Sequence, residues 1–406
     1  MTTSFPKVYA AEKQHFSRQL IDRDCVKIMQ RLNHQGFKGY LVGGGVRDIL
    51  LGKTPKDFDV ATDATPKIVK RLFRNSRIIG RRFQLVQVYF GRDKIIQVST
   101  FRDVADQFES ANEEGDGKSY KPQADNNFGT ESSDAFRRDL TINGLFYDIA
   151  SNSILDYVGG FEDLKSGVIR IIGDPETRFR EDPVRMLRTV RHAARTGFRI
   201  EERALAAIKE LKYLIKDCPA MRIYEEVKKD LTSGSCLNIF RGLEKAELLS
   251  LFLPEIANDN SSLLENKSYF SRILHAADEL FSSYDVNYKT NNSKATATSL
   301  FALIALFAAS DGSNSNPINN FKSEDNLRTH LSKCFTKLSI TRNEKERVAI
   351  LLKYWHLLSV APQKLSRRSL ARVSLADDLL FFCQIMYLVT GNRSQLDLTS
   401  QFLKKR

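Results

Sequence analysis

Leu41-Val-Gly-Gly-Gly-Val-Arg-Asp48, followed closely by Pro55-Lys-Asp-Phe-Asp59, is the stretch on which the reading of this chain turns. Tyr40-Leu-Val42 is a short apolar strand that runs into three glycines. Glycines let a backbone approach a ligand closely and take conformations that other residues resist. Val46 to Leu51 then reads as an opening helix, with Val46, Ile49 and Leu50 on one face. Backbone amides at such a turn favour an anion, and Arg47 adds a planar charge suited to phosphate. Phe58, Val60 and Ala61 suggest that Asp57-Phe-Asp59 lies on a strand, where residues two apart share a face. Two carboxylates on one face suit Mg²⁺, which takes one or two carboxylates together with phosphate oxygens. Taken singly, a glycine triplet is common in turns and Asp-x-Asp is common at solvated strand ends. Their combination is harder to dismiss.

Further along stand Arg137-Arg-Asp-Leu-Thr-Ile-Asn143, Asp156-Tyr-Val-Gly-Gly160 with Asp163-Leu164, and Glu181-Asp-Pro-Val-Arg-Met-Leu-Arg188. In this order, with the opening stretch, these blocks resemble the class II nucleotidyltransferases, the family of tRNA CCA-adding enzymes and bacterial poly(A) polymerases. The resemblance implies an α+β fold. It has an N-terminal α/β nucleotidyltransferase head, with a DNA polymerase β-like mixed sheet, followed by an all-α neck, body and tail.

The resemblance also implies roles. Asp57, Asp59 and Asp139 become candidate catalytic residues, with Asp57 and Asp59 the ligands of Mg²⁺ or Mn²⁺. Gly43, Gly44, Arg47 and Arg138 would hold the triphosphate of ATP. Asp139 would accept a ribose hydroxyl, and Asn143 would orient the turn. Asp182 and Arg185 would read the edge of the incoming base, with Arg188 and Arg191 continuing that surface. From the residues alone, Asp182 and Arg185 sit three apart at a helix opened by Pro183, which an ordinary salt-bridged helix would also explain. Met186, Leu187, Val190 and Ala194 supply its apolar face.

Within the family, Gly45, Ile79-Gly-Arg-Arg-Phe-Gln-Leu85, Ile172-Gly-Asp-Pro-Glu-Thr-Arg178 and, weakly, Ser366-Arg-Arg-Ser-Leu-Ala-Arg372 are similar to the poly(A) polymerase pattern. The expected reaction is therefore addition of AMP from ATP to RNA 3′ ends, with release of pyrophosphate. The alternatives are CCA addition to tRNA, or a catalytically weakened RNA-binding regulator with the same fold. Two departures bear on the last. Gln97 stands where the family commonly has glutamate, and Gln87 where bacterial poly(A) polymerases often have histidine.

Composition agrees. The 406-residue chain is long enough for more than one domain, and its net charge of +13 suits a polyanionic partner. Residues 107–134 hold seven acidic residues and two lysines, so +18 falls on the rest; this polar segment reads as a mobile loop. A second polar stretch, 311–320, reads as a surface loop. Cys25, Cys218, Cys236, Cys334 and Cys383 are scattered and odd in number, which favours reduced thiols in a cytoplasmic protein. The six histidines are dispersed and suggest no zinc site. The N-terminus shows no signal-peptide pattern, and the apolar run 300–309 is too short to span a membrane, reading instead as a buried helix. The chain ends at Lys404-Lys-Arg406 without a long basic tail.

The expected organisation is a helical extension (1–34, with a helix from Asp22 to Asn33) and a catalytic head (35–160). A neck carrying base recognition (161–255) and an RNA-binding body and tail (256–406) follow. In the head, Val86-Gln-Val-Tyr-Phe90 and Ile95-Ile-Gln-Val98 flank Gly91-Arg-Asp93 and read as a hairpin.

Overall fold

A computed structural model describes residues 5–80, 84–91, 94–103, 128–254, 268–283, 293–308, 324–364 and 376–403. The chain divides into two compact units, Met1–Pro175 with Arg199–Ala204, and Glu176–Phe198 with Leu205–Arg406. The acidic segment up to residue 127, the polar stretch 311–320, the arginine-rich segment 366–372 and the terminal 404–406 lie outside the described residues.

The first unit is built on an eight-stranded mixed sheet. Its strands are β1 (Lys7–Ala10), β2 (Gly39–Val42), β3 (Asp59–Thr62), β4 (Ser76–Ile79), β5 (Leu85–Phe90), β6 (Lys94–Thr100), β7 (Leu145–Asp148) and β8 (Ser153–Asp156). They lie in the order β1-β8-β7-β2-β3-β6-β5-β4, with β3 and β6 parallel and the other neighbours antiparallel. The expected β5–β6 hairpin is present, and Gly91 turns it with φ +64°.

Alternation along the strands sorts the two faces. One transverse row runs Ile154, Tyr147, Leu41, Val60, Val98, Val86, Ile78 and is apolar throughout. It packs under α1 (Arg23–His34), which contributes Cys25, Ile28, Met29 and Leu32 as a helical stripe. The neighbouring row runs Leu155, Phe146, Val42, Asp59, Gln97, Gln87, Arg77, and so faces the other way. It begins in a small core of Tyr40, Val42, Ala61, Phe101 and Phe146, and becomes polar from Asp59 onward. A slip of one residue in any strand would exchange these rows, so the apolar pattern itself fixes where the aspartate emerges.

Two features differ from expectation. The N-terminal segment is not a separate helical extension, because β1 completes the sheet beside β8. Residues 131–136 form a helix, α4 (Glu131–Phe136), capped by Thr130 and Ser133 in a reciprocal box, rather than the end of a loop. The other helices of this unit are α2 (Gly44–Leu50), α3 (Pro66–Leu72) and α5 (Gly160–Lys165). A short parallel pair, β9 (Val168–Ile169) and β10 (Arg199–Ile200), extends the unit beyond the expected boundary at residue 160.

The second unit is helical, as expected. After α6 (Pro175–Glu181), where it begins, come α7 (Val184–Thr196), α8 (Glu202–Leu211), α9 (Ala220–Leu231), α10 (Cys236–Lys245) and α11 (Leu249–Phe252). Then follow α12 (Tyr269–Ser283), α13 (Ser293–Ala308), α14 (Glu324–Cys334), α15 (Arg342–Val360), α16 (Ala376–Thr390) and α17 (Ser394–Leu403). Arg347 on α15 meets the buried Asp378 of α16 at 2.9 Å, and the hydroxyl of Ser299 on α13 donates to the Asp378 carbonyl at 2.8 Å. Among the described residues no helix is long and apolar enough to cross a membrane. None of the five cysteines forms a disulfide.

Candidate active site

The glycine turn closes the end of β2. Gly43 has φ +69°, and a Cβ there would lie 3.3 Å from Nη1 of Arg138. Gly44 and Gly45 open α2. Arg47 does not stand open to a ligand: it is buried, its Nε and Nη2 donate to Asp48 at 2.8 and 2.7 Å, and its Nη1 donates to Asn143 Oδ1 at 2.7 Å. Asn143 thus ties the Arg137–Asn143 block to α2.

Arg138 is placed by a residue that sequence reasoning missed. Asp134 is fully buried and accepts from Arg138 Nη2 at 2.9 Å and from Arg137 Nε at 2.7 Å. Burial works against its charge, but Arg138 and Arg137 outweigh burial and hold the carboxyl below its usual range. The signal was present as acidic-to-basic spacings of three and four on one helical turn. Arg138 also covers the Phe146 ring at 5.2 Å and donates weakly to the Asn143 carbonyl at 3.4 Å.

Only Asp59 of the expected pair lies on β3; Asp57 precedes the strand. The two still interact. Solvent reaches Asp59, yet desolvation by the surrounding protein, and then the charge of Asp57, push its carboxyl up, while Arg138 pulls it down. Two hard oxygen donors whose charges oppose each other fit a divalent cation, which would relieve that repulsion. The parallel register sets Gln97 directly beside Asp59, and the antiparallel register sets Gln87 beside Gln97. The third oxygen position is therefore an amide, not a carboxylate.

Asp139 follows Arg138, and its carbonyl accepts from the Ile172 amide at 3.2 Å. The Asp156-to-Gly160 block is a scaffold. Buried Asp156 accepts from the amides of Val158, Gly159, Gly160 and Phe161 at 2.9–3.1 Å. Any side chain at Gly160 would strike the Thr141 carbonyl, at 2.0 Å from a Cβ. Asp163 accepts from the Thr141 hydroxyl at 2.7 Å, so this block supports the turn that carries Asp139 and Asn143.

The base-reading candidates belong to the second unit. Pro183 caps α7, which begins at Val184, so Asp182 lies just outside the helix, not on its face. Its carboxylate accepts from Arg222 on α9 at 2.8 Å and from the Val184 amide at 3.3 Å. Arg185 Nη1 donates to Glu181 at 2.9 Å and to the Arg178 carbonyl at 3.1 Å. Arg188 meets Glu226 at 3.0 Å. Arg191 does not continue the same surface. It is buried against α9, paired with Asp230 and, at 2.5 Å, with Glu226. Successive steps of three residues each turn about 60° short of a full turn, so by Arg191 the side chain has rotated away from Arg185.

A profile for the poly A polymerase head domain matches residues 39–170, and one for a probable RNA and SrmB-binding site of polymerase A matches 197–260. Over these regions the chain is similar to poly(A) polymerases and CCA-adding enzymes. It is 48% identical to poly(A) polymerase I of Escherichia coli O6:H1 over 254 residues, which cover 61% of this chain and 54% of that one. It is 39% identical to the CCA-adding enzyme of Lactobacillus helveticus over 205 residues, or 50% and 49% of the two chains. The chain thus spans about half the length of the curated relatives it matches. In fold it is similar to the Bacillus stearothermophilus CCA-adding enzyme in complex with CTP, with TM-score 0.60 and 21% identity, covering 94% of this chain and 82% of that one.

The poly A polymerase head match contains the glycine turn, Asp57, Asp59, Arg138, Asp139 and Asn143. Helix α7 falls between the two matched regions, whereas Glu226 and Asp230, which grip it, fall inside the second.

Proposed function

We propose that this chain is a template-independent polynucleotide adenylyltransferase, acting in the cytoplasm on RNA 3′ ends with ATP. The observation that carries the reading is the convergence at one strand end: a positive-φ glycine turn, a guanidinium held over it, and two opposed carboxylates. The RNA 3′ oxygen forms a bond to the α-phosphorus as the α–β anhydride bond breaks. The electron pair leaves on pyrophosphate, and the hydroxyl proton passes to solvent.

Gly43 and Gly44 leave room for the triphosphate, and Arg138, held by Asp134, supplies the fixed positive charge beside it. Arg47 acts through Asp48 and Asn143 to hold the turn's shape. Asp139 takes the ribose hydroxyl. Asp57 and Asp59 would hold Mg²⁺ or Mn²⁺, which when bound neutralises charge on the transferring phosphate and activates the attacking hydroxyl. Asp182 accepts from the adenine amino group and Arg185 donates to the ring nitrogen beside it, with Arg188 supporting their helix. Arg191 secures that helix from within.

Primer extension tests the reading, using an RNA and a tRNA lacking its CCA end with each nucleotide in turn. Long tails from ATP alone support it. A stop after three additions that requires CTP would instead establish CCA addition. RNA binding without incorporation would establish a non-catalytic regulator.

A further inference from the structure

The polar half of the transverse row has a direction. On one side of Asp59 lie Val42, which leads into the Gly43 turn, and Phe146, which lies under Arg138. On the other lie Gln97, Gln87 and Arg77, with Gln97 and Arg77 exposed and Gln87 half-buried. Beside them on the same face, Tyr89 pairs across the strands with Ile95, which is 47% exposed. The Tyr89 hydroxyl donates to Gln87 Oε1 at 2.9 Å, which turns the Gln87 amide nitrogen away from the tyrosine as a free donor among the described residues.

An in-line displacement puts the attacking and leaving oxygens on opposite sides of the phosphorus. With the pyrophosphate on the Gly43 and Arg138 side, the attacking hydroxyl must come from the Gln97 side. We infer that the β6–β5–β4 face is the seat of the acceptor's 3′-terminal nucleotide, an assignment that rests on the adenylyl-transfer reading. Tyr89 and Ile95 offer a surface on which a base can stack. The amides of Gln97 and Gln87 can bond ribose hydroxyls or base edges, and Arg77 can meet the phosphate on the 5′ side of this nucleotide. This part of the row carries no negative charge, which suits a polyanion approaching Asp59.

The test uses a short oligoadenylate with 2-aminopurine at its 3′ end, and a second with the probe at its 5′ end. Binding of the wild-type chain should change the 3′ probe's fluorescence. Gln87→Ala and Tyr89→Ala should each weaken that 3′ signal and raise the KM for RNA, Tyr89→Ala about tenfold, within the range expected for one stacked base, and Gln87→Ala about fivefold, as expected for one hydrogen bond. The 5′ signal, the KM for ATP and the unfolding midpoint should stay in place. Unchanged 3′ fluorescence and RNA KM in both variants would overturn the assignment. Equal losses for RNA and ATP would also overturn it, by showing a general distortion. If the wild-type chain extends no primer yet the 3′ signal is lost in the variants, the transfer reading fails and the seat stands.

Discussion

Replacing Glu226 with glutamine removes one charge from a buried cluster that fixes α7 against α9. On α9, Arg222, Glu226 and Asp230 recur every fourth residue and therefore form one stripe. Each meets a partner on or beside α7: Asp182, then Arg188 and Arg191, then Arg191 again. Burial opposes the Glu226 charge, but Arg191, Arg188 and Lys229 override it and bring its pKa from 4.5 to about 2. That depression is worth about 3 kcal/mol at neutral pH. It is present in full above pH 4.5 and fades as the pH falls toward 2. Glu226→Gln should thus lower stability by about 3 kcal/mol at pH 7, or about 6–12 °C for a unit of this size. The gap to the wild type should narrow below pH 4.5.

Asp230 should behave oppositely, although it touches the same arginine. Burial raises its pKa from 3.8 to about 6, despite Arg191, and its Oδ2 has no partner. Its ionised form therefore costs stability above pH 6, a cost relieved as the pH falls toward 3.8. Asp230→Asn should be neutral or stabilising at pH 7 and should flatten the profile between pH 7 and 4. Thermal and urea unfolding across this range checks both. A Glu226→Gln loss smaller than the Asp230→Asn loss would refute the division of charge between the two carboxylates.

Three further sites give sharper tests. Asp57→Ala should reduce adenylyl transfer at least about a thousandfold with little change in folding, because positioning and electrostatics supply most of the rate; intact extension would remove it from the metal site. Gly43→Ala should cost about 1–3 kcal/mol of backbone strain and raise the KM for ATP by moving Arg138, whereas a Cβ at Gly45 comes within 3.2 Å of Leu41 Cδ1 and otherwise makes ordinary contacts at 3.6 Å with Leu41 Cγ and the Asp57 carbonyl, so Gly45→Ala should change little. Asp156→Ala leaves four backbone amides without their acceptor, so a loss of about 3 kcal/mol or more is expected in urea unfolding; a loss below about 1 kcal/mol would contradict the scaffold role.

The parts legible in the sequence were local ones. A strand running into glycines, a hairpin around Gly91 and a helical second half each follow from residues close in sequence. The parts missed depend on partners far away. β1 is four residues long with Val8 exposed, and it becomes a strand only by pairing with β8. Arg191 looked like an extension of Arg185 and Arg188, but helical rotation and two acids on α9 turn it inward. Arg47 looked free for phosphate until Asp48 and Asn143 were seen to hold it. Asp134 is masked in the sequence by the polar, acidic stretch that precedes it, while its own side chain is fully buried against Arg137 and Arg138.

Gln97 was first a departure from a pattern; the register gives it a physical meaning. A carboxylate directly beside Asp59 on the neighbouring strand would repel it by about 1–3 kcal/mol at a separation near 5 Å and an effective dielectric of roughly 20–80. Asp59 already carries the opposition of Asp57. Glu at this position would strengthen the hold on a divalent cation, but it would set another negative charge where the acceptor's phosphate backbone must arrive. Glutamine keeps an oxygen at that position and adds a donor without the charge. Gln97→Glu should therefore lower the Mg²⁺ concentration for half-maximal activity while raising the KM for RNA. Movement of both quantities in the same direction would show that the amide does not balance metal against acceptor.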